Sequence, residues 1–450
     1  MTTTSSLLLA RRFLFGADRA GRLSRRIRGG IVGVGLSLIP LVVVLQVADG
    51  MIAGITDRFI EAGSYHLQAI AREGTDANAL VASAESLARV PGVALASPER
   101  QGLALAAAGG QRTAVTVRAV DPELWNRDRG LREYLEFVAG EWRLDERGIL
   151  LGEYVARELG AKVGDEVSVL TARSLSGGRV LPRTRTFEVR GIVTSGYADL
   201  DRLWVFVPYE QGARMLPDET SRMVIGLKID EPLALPNPLF RPPGADEAAR
   251  AREIVSRVRS ELGTGYRVAT WFETERAKYM SFKTTKDLLV FIMVLIVIVA
   301  AVNISSTLVM LVLEKQEEIA VLKSYGGSPG GITTAFIVAG FVLGALGTVA
   351  GIAFGLLLAV NINELLVAIE WVINAGVWIA DLAARLFASG GVETVELLSG
   401  EYYLQEIPIT LRFADVALVA CLTILLATAA AWFPARRAGA IRPLEVLRRH

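Results

Sequence analysis

Four stretches of the chain are apolar for long enough to cross about 30 Å of hydrocarbon, which takes about 20 helical residues. The first, GIVGVGLSLIPLVVVLQVA, runs from Gly30 to Ala48. The second, Leu288–Leu313, has no charge in 26 positions, and the third, Gly331–Val360, is rich in glycine. The fourth runs from Phe413 to Phe433 with Asp415 near its start. A fifth run, LLVAIEWVINAGVWIADLAARLF at 365–387, holds Glu370, Asp381 and Arg385. Each such charge costs about 2.5–3.5 kcal/mol at mid-bilayer, so the run is read as an amphipathic helix at the outer membrane surface.

Between the first two spans the period changes. TDANALVASAESLARV at 75–90 has helical spacing with Asp76 as a candidate cap, and Pro91-Gly92 stops it. VALASP, TAVTVRAV, EVSVLTA (166–172) and TFEVRGIV (186–193) alternate like strands. EYVARELG (153–160) reads as a short helix ended by glycine. EPLALPNPLFRPPG (231–244), with five prolines, reads as an irregular crossover, and ADEAARAREIVSRVRSELG (245–263) as a charged surface helix. The expected fold is therefore an α-helical membrane protein with four transmembrane helices and a large extracytoplasmic mixed α/β domain.

Charge sets the direction. Seven arginines against one aspartate precede the first span, and five arginines against one glutamate follow the fourth. Both ends are placed in the cytoplasm, which requires an even number of crossings. On that layout the inner segments carry +9 and the rest −8, within a total of +1. The domains expected are 1–29, a cytoplasmic amphipathic N-terminus; 30–53, the first span; 54–284, the extracytoplasmic domain, with a hairpin arm at 173–185. There follow 285–313, the second span; 314–330, a cytoplasmic loop; 331–360, the third span; 361–412, an outer segment; 413–433, the fourth span; and 434–450, the cytoplasmic end. The RRFLF string at 11–15 resembles an export signal, but no clear cleavage site follows, so an uncleaved span is expected.

Composition adds little beyond this: 52% hydrophobic residues and a mean hydropathy of +0.40 suit a chain partly in lipid and partly in water. The near balance of 48 basic and 47 acidic residues gives no reason to expect nucleic acid. Cys421 alone builds no disulfide within the chain, and His66 and His450 lie too far apart in sequence to suggest a metal motif.

Candidate chemistry narrows to three places. LSGGR at 175–179 matches the phosphate-contacting signature of ABC-type ATPases. Those enzymes also need G-x-x-x-x-G-K-[ST], and the sequence has no such string. The letters are instead read as the tip of a thirteen-residue loop, RSLSGGRVLPRTR, an exposed cationic arm built to touch something. LEKQEEIAVLKSYGGSPGG after the second span reads as a continuing helix that offers Ile319, Val321, Leu322 and Tyr325 as apolar surface among Glu317, Glu318 and Lys323. Gly326-Gly327 end it, and Ser328-Pro329 start the next helix. In the third span Gly340, Gly344, Gly347, Gly351 and Gly355 form a ridge for close helix packing, with the partner helix unspecified.

The stretch LIVIVAAVNISSTLVMLVLEKQEEIAVLKSYGGSP, the close FPARRAGAIRPLEVLRRH, EYYLQEIPITLRFADVAL before the last span, and GRVLPRTRTFEVRGIV with VGDEVSVLTA in the domain resemble the LolC/LolE lipoprotein-releasing permeases. These belong to the wider MacB/FtsX group of four-span ABC subunits. The resemblance covers most of the chain and is strongest over 280–450. It implies a MacB-like periplasmic core and a non-catalytic permease subunit of the bacterial inner membrane, without cofactors of its own. ATP and Mg would sit on a separate cytosolic LolD-like ATPase. Implied partners are that ATPase, a second LolC/LolE-like permease or a second copy of this chain, a periplasmic LolA-like carrier, lipoprotein substrates and membrane lipid.

By position, the resemblance puts Glu317, Glu318, Ile319, Ala320 and Lys323 on the helix that couples to the ATPase. It puts Ser176, Gly178, Arg179, Leu181, Pro182 and Arg183 on a carrier-docking arm. Val43, Val47, Met51, Phe291 and Leu295 are taken as candidates for a substrate cavity. The 361–411 segment is longer than the family leads one to expect, which leaves LolC-like, LolE-like and single-type assignments open. An FtsX-like subunit that regulates a cell-wall hydrolase without transport is the alternative reading.

Overall fold

The computed structural model describes residues 22–72, 74–175, 179–218, 220–240, 244–384, 408, 409, 411 and 413–443. The chain divides into two compact units, residues 52–284 and the described residues on either side of them.

The flanking unit is built from long helices. They are α1 (Arg22–Arg58), α2 (Arg276–Glu314), α3 (Gln316–Ser324), α4 (Pro329–Val360), α5 (Ile362–Ala384), α6 (Phe413–Ala430) and α7 (Trp432–Ala440). Four helical stretches, Arg28–Ser64, Arg276–Glu314, Pro329–Val360 and Phe413–Ala440, are long and apolar enough to cross a membrane, and α5 is not among them. Ser328 caps α4 by accepting from the Gly331 N–H, and Pro329 occupies its first turn. Where the sequence suggests that the second span continues as one helix into the following loop, the structure has a break at Lys315 (φ −98°, ψ 9°). The fourth span likewise divides at Ala431. Pro434 in the first turn of α7 marks the second break, because it lacks an N–H and crowds the Ala430 carbonyl; no proline or glycine marks the first.

The glycine ridge of α4 has its partners within this chain. A methyl at Gly340 would lie 2.3 Å from Ala431 Cβ, and one at Gly344 2.5 Å from Ala427 Cβ. On the other side Gly347, Gly351 and Gly355 meet Val34, Leu38 and Val42 of α1, each 2.7 to 2.8 Å from the missing methyl. Two four-residue ladders interlock, so α4 is held against α1 along one seam and against α6 and Ala431 along another. The core they enclose includes Val34, Leu38, Ile304, Leu308, Phe336, Leu343 and Ala427.

Residues 52–284 form a mixed sheet of ten strands: β1 (Leu67–Ala71), β2 (Val93–Ala108), β3 (Gln111–Val120), β4 (Glu136–Gly140), β5 (Gly148–Gly152), β6 (Glu166–Leu175), β7 (Arg179–Thr194), β8 (Trp204–Pro208), β9 (Arg222–Ile229) and β10 (Tyr266–Thr270). Pairings β2–β3, β3–β8, β8–β5, β5–β7, β7–β6 and β6–β2 close a ring of six strands. The β3–β8 and β5–β7 pairs are parallel and the others antiparallel. Inward residues such as Val117, Leu151, Val169, Phe187 and Val205 fill it, together with Val155 and Leu159 of helix Glu153–Leu159. That helix ends at Gly160, whose φ of 62° suits glycine. Outside the ring, β9, β1 and β10 extend the sheet from β2 and pack with helices Ala77–Leu87 and Ala245–Leu262 around the buried Trp271. Asp76 takes the cap position of the first of these helices, but its side chain makes no capping bond.

At the start of this domain α1 passes into a π-helical turn, Phe59–Ser64, and then Tyr65, whose φ of 58° is rare for a bulky side chain. Tyr65 is held by a buried charge pair. Arg118 donates to Glu99 Oε1 at 2.6 Å and to Oε2 at 2.8 Å, and Tyr65 donates to the same Oε2 at 2.6 Å. Arg118 also donates to the Ala62 carbonyl in the π turn, and its guanidinium lies 4.6 Å from the Trp204 ring centre. Gly226 leaves room for the Tyr65 ring, 2.4 Å from where a methyl would stand. Burial pushes the Glu99 carboxyl up, but Arg118 and the hydrogen bonds outweigh it and hold the group below the usual carboxylate range.

Two predictions follow from this packing. Gly351→Leu should lower the thermal midpoint of the detergent-solubilised chain by forcing α4 from α1, at a cost of about 1–3 kcal/mol. Gly33→Ala, with open space at its Cβ, should leave it unchanged. Because Glu99 is depressed in the folded state, its stabilisation is complete above the ordinary carboxylate range, about pH 4.3. That stabilisation is lost as pH falls through its folded value. Glu99→Gln should therefore cost several kcal/mol near neutrality, about 3–5 for a stranded buried partner, and show a shallower loss on acidification than the parent.

Candidate functional site

Helix α3 begins after the break at Lys315 and ends at Tyr325, with Gly326 beyond it at φ 90°. Its two faces differ sharply. Ile319 and Ala320 are fully buried, Ile319 in the core that also holds Ile332, Phe336, Ala435 and Ala438. Lys323 donates to the carbonyls of Gly439 at 2.8 Å and Ile441 at 2.7 Å, so its charge complements the C-terminal end of α7. Gly439 in turn sits where a methyl would stand 2.4 Å from Thr333 Oγ1. The outer face carries Glu317, Glu318, Val321 (44% exposed) and Tyr325 (88% exposed). The expectation that Ile319 offers surface to a partner is thus corrected. Ile319, Ala320 and Lys323 fasten the helix, and the exposed apolar groups are Val321 and Tyr325.

The arm is a β-ribbon, not a thirteen-residue loop. β6 and β7 pair in unbroken antiparallel register from Glu166↔Glu188 out to Leu175↔Arg179. Their pairing with the rest of the sheet ends at Leu170 on β6 and begins at Glu188 on β7. Beyond that the two strands pair with each other. Leu181 is 48% exposed, Pro182 and Arg183 are exposed beside it, and Arg183 donates to the Arg214 carbonyl at 3.0 Å. Pro182, lacking an N–H, fits a ribbon whose edges are free. Ser176, Gly177 and Gly178 lie outside the described residues, and for Arg179 the backbone register alone is described.

Of the cavity candidates, Val43, Val47 and Met51 are half-buried on α1, whereas Phe291 and Leu295 on α2 are exposed. Sequence reasoning missed the polar pair near them. Lys286 of α2 reaches Asp49 of α1 at 2.6 Å, and Asp49 is buried. At two residues' separation on a helix, Asp49 points away from Val47 and Met51. Val47 and Met51 therefore lie on the face of α1 opposite the ion pair.

Family models match in two blocks: a MacB-like periplasmic core domain over residues 31–234 and an FtsX-like permease C-terminal model over residues 290–443. The chain is 30% identical over 444 residues to the lipoprotein-releasing system transmembrane protein LolC of Neisseria meningitidis, covering 97% of each chain. It belongs to the LolC/LolE permease family. The LolC of Xylella fastidiosa strain Temecula1 is 26% identical over 98% of both chains, and the LolE of Haemophilus influenzae is 25% identical over 77% of this chain and 75% of its own. The chain is a LolC-like ABC permease, a multi-pass membrane protein with four spans and an extracytoplasmic domain. Subunits of this FtsX-like permease group are typically non-catalytic and work with an ATPase. Helix α3 falls within the FtsX-like block, and the ring of strands with its β6–β7 ribbon falls within the MacB-like block.

The two faces of α3 should separate by mutation. Ile319→Asp buries an unpaired charge and is expected to cost more than about 4 kcal/mol in a thermal or denaturant unfolding assay. Tyr325→Ala should change the same measurement by no more than about 0.5 kcal/mol.

Proposed function

We propose that this chain is a permease subunit of an ABC transporter that lifts lipoproteins out of the bacterial inner membrane and passes them to a periplasmic carrier. The work is done by a separate cytosolic ATPase, which holds ATP and Mg. A second LolC/LolE-like permease, or a second copy of this chain, completes the permease pair. Both termini and α3 lie in the cytoplasm, and residues 54–284 in the periplasm. What carries this reading is similarity over nearly the whole length to proteins named as lipoprotein-releasing LolC.

The chemistry calls for such a machine. An acyl chain favours the bilayer by about 0.8 kcal/mol per buried methylene, so a triacylated anchor does not leave unaided. The ATPase engages Glu317, Glu318, Val321 and Tyr325 on the open face of α3. The Ser176–Arg183 stretch, cationic and carrying Leu181, docks the carrier. Val43, Val47, Met51, Phe291 and Leu295 contribute the wall along which the acyl chains leave.

Depletion of the protein should make lipoproteins accumulate in the inner membrane. Complementation by the chain lacking Ser176–Pro182 should leave them there, abolish crosslinking to the carrier and preserve ATPase association. Tyr325→Ala should do the reverse, keeping the carrier crosslink and losing co-purified ATPase activity. An unaltered lipoprotein distribution on depletion, with altered cell-wall hydrolase activity, would favour the FtsX-like alternative.

A further inference from the structure

On the flank of the membrane unit, α4 and α6 leave a groove of about 980 Å³ between them, lined by Ile337, Phe341, Cys421, Ile424, Leu425 and Trp432 among others. From Cys421 to Trp432 it runs about 16 Å along the helix, the scale of much of an acyl chain. Its walls are almost wholly apolar, and Trp432 at one end is 55% exposed. One turn beyond Trp432, on the same face of α7, stands the exposed Arg436. Beside it Arg437 lies 4.3 Å over the ring of Phe433, itself exposed. Among the described residues from 413 to 443, Asp415 is the only acid, and it sits at the far end of α6. The groove thus ends in an interfacial aromatic and two uncompensated arginines.

We propose that this groove is a binding site for one phospholipid of the surrounding bilayer with an anionic headgroup. Its tail lies along Ile337, Phe341, Cys421, Ile424 and Leu425, its glycerol region meets Trp432, and its phosphate meets Arg436 and Arg437. A purely apolar groove would take any lipid tail. The arginines make the site select by headgroup, because each attracts the anionic lipid and the described residues of α6 and α7 place no acid beside them.

The test uses the full chain in detergent and native mass spectrometry with dioleoyl phosphatidylglycerol or dioleoyl phosphatidylcholine, which share their tails. Phosphatidylglycerol should be retained at roughly tenfold lower concentration, the order expected of two arginines facing an anion. Arg436→Ala combined with Arg437→Ala should equalise the two lipids, and Ile424→Trp, filling the groove, should abolish retention of both. Cys421, the chain's single cysteine, gives a second readout that needs no substitution. Phosphatidylglycerol should slow its alkylation by N-ethylmaleimide several-fold more than phosphatidylcholine does. Equal retention of the two lipids by the unaltered chain overturns the proposal. So does Cys421 protection that rises with protein concentration irrespective of lipid, which assigns the groove to a second copy of the chain.

Discussion

Helices surrounded by lipid gain nothing from the hydrophobic effect by touching one another, so close backbone approach has to hold them. In this protein that approach is concentrated in α4. Gly347, Gly351 and Gly355 receive Val34, Leu38 and Val42 of α1, while Gly340 and Gly344 receive Ala431 and Ala427. A single added methyl on the α1 side would meet a side-chain carbon at under 3 Å, closer than such carbons pack. The first, third and fourth spans are therefore fixed to a common spine. The same spine sets where α7 lies, because Gly439 is pressed against the first turn of α4.

The extracytoplasmic domain solves a different problem with different means. Its six-stranded ring buries an apolar centre, which water rewards directly. Where α1 hands over to the sheet, the backbone is forced through a π turn and a left-handed Tyr65, conformations that cost about 1–3 kcal/mol each. The Arg118–Glu99–Tyr65 set offsets that cost by pinning the turn through the Ala62 carbonyl and the tyrosine hydroxyl together. A second set works nearby. Lys228 bonds Glu61 Oε2 at 2.7 Å and Asp128 at 2.6 Å, and His66 Nε2 lies 2.8 Å from Glu61 Oε1. Charged groups buried this fully hold a geometry in place more than they add stability, since water would otherwise solvate each of them.

How much of this was legible depended on the range of the interaction. Span lengths, the helix stop at Gly160 and the Ser328-Pro329 start are local, and the letters carry them. The glycine ridge announced close packing, because in lipid only small residues permit it, but not which helices it meets; Val34, Leu38 and Val42 look like any apolar span. Short buried strands such as GILLG and WVFVP lack alternation, since both faces are covered, and their period cannot be told from a helix segment. The ring closure joins residues scattered from 93 to 208, so no local pattern holds it. The arm reads as a loop because Gly177, Gly178 and Pro182 are turn letters, although the Arg-Thr alternation of RTRTF continues β7 straight through. In the sequence Arg436 and Arg437 read only as topological charges; their one-turn spacing from Trp432 and Phe433 takes on meaning beside the apolar groove between α4 and α6.

The break at Lys315 changes how movement can pass through the membrane unit. A single rod from the domain to the inner surface would carry a push along its axis. The structure instead sets α3 apart from α2 and fastens it sideways. Ile319 packs into the core that holds Ile332 and Phe336 of α4, and Lys323 grips the carbonyls that end α7. A load on Tyr325 is therefore delivered first to the start of α4 and the end of α7. Those elements are already locked by glycine contacts to α1 and α6, and close-packed interiors shift as blocks more readily than they deform. Any movement entering at α3 would thus reach α1 through the α4 seam. Its side-chain latch to α2 is the Asp49–Lys286 pair, two groups that would have to separate if the first two spans were to part.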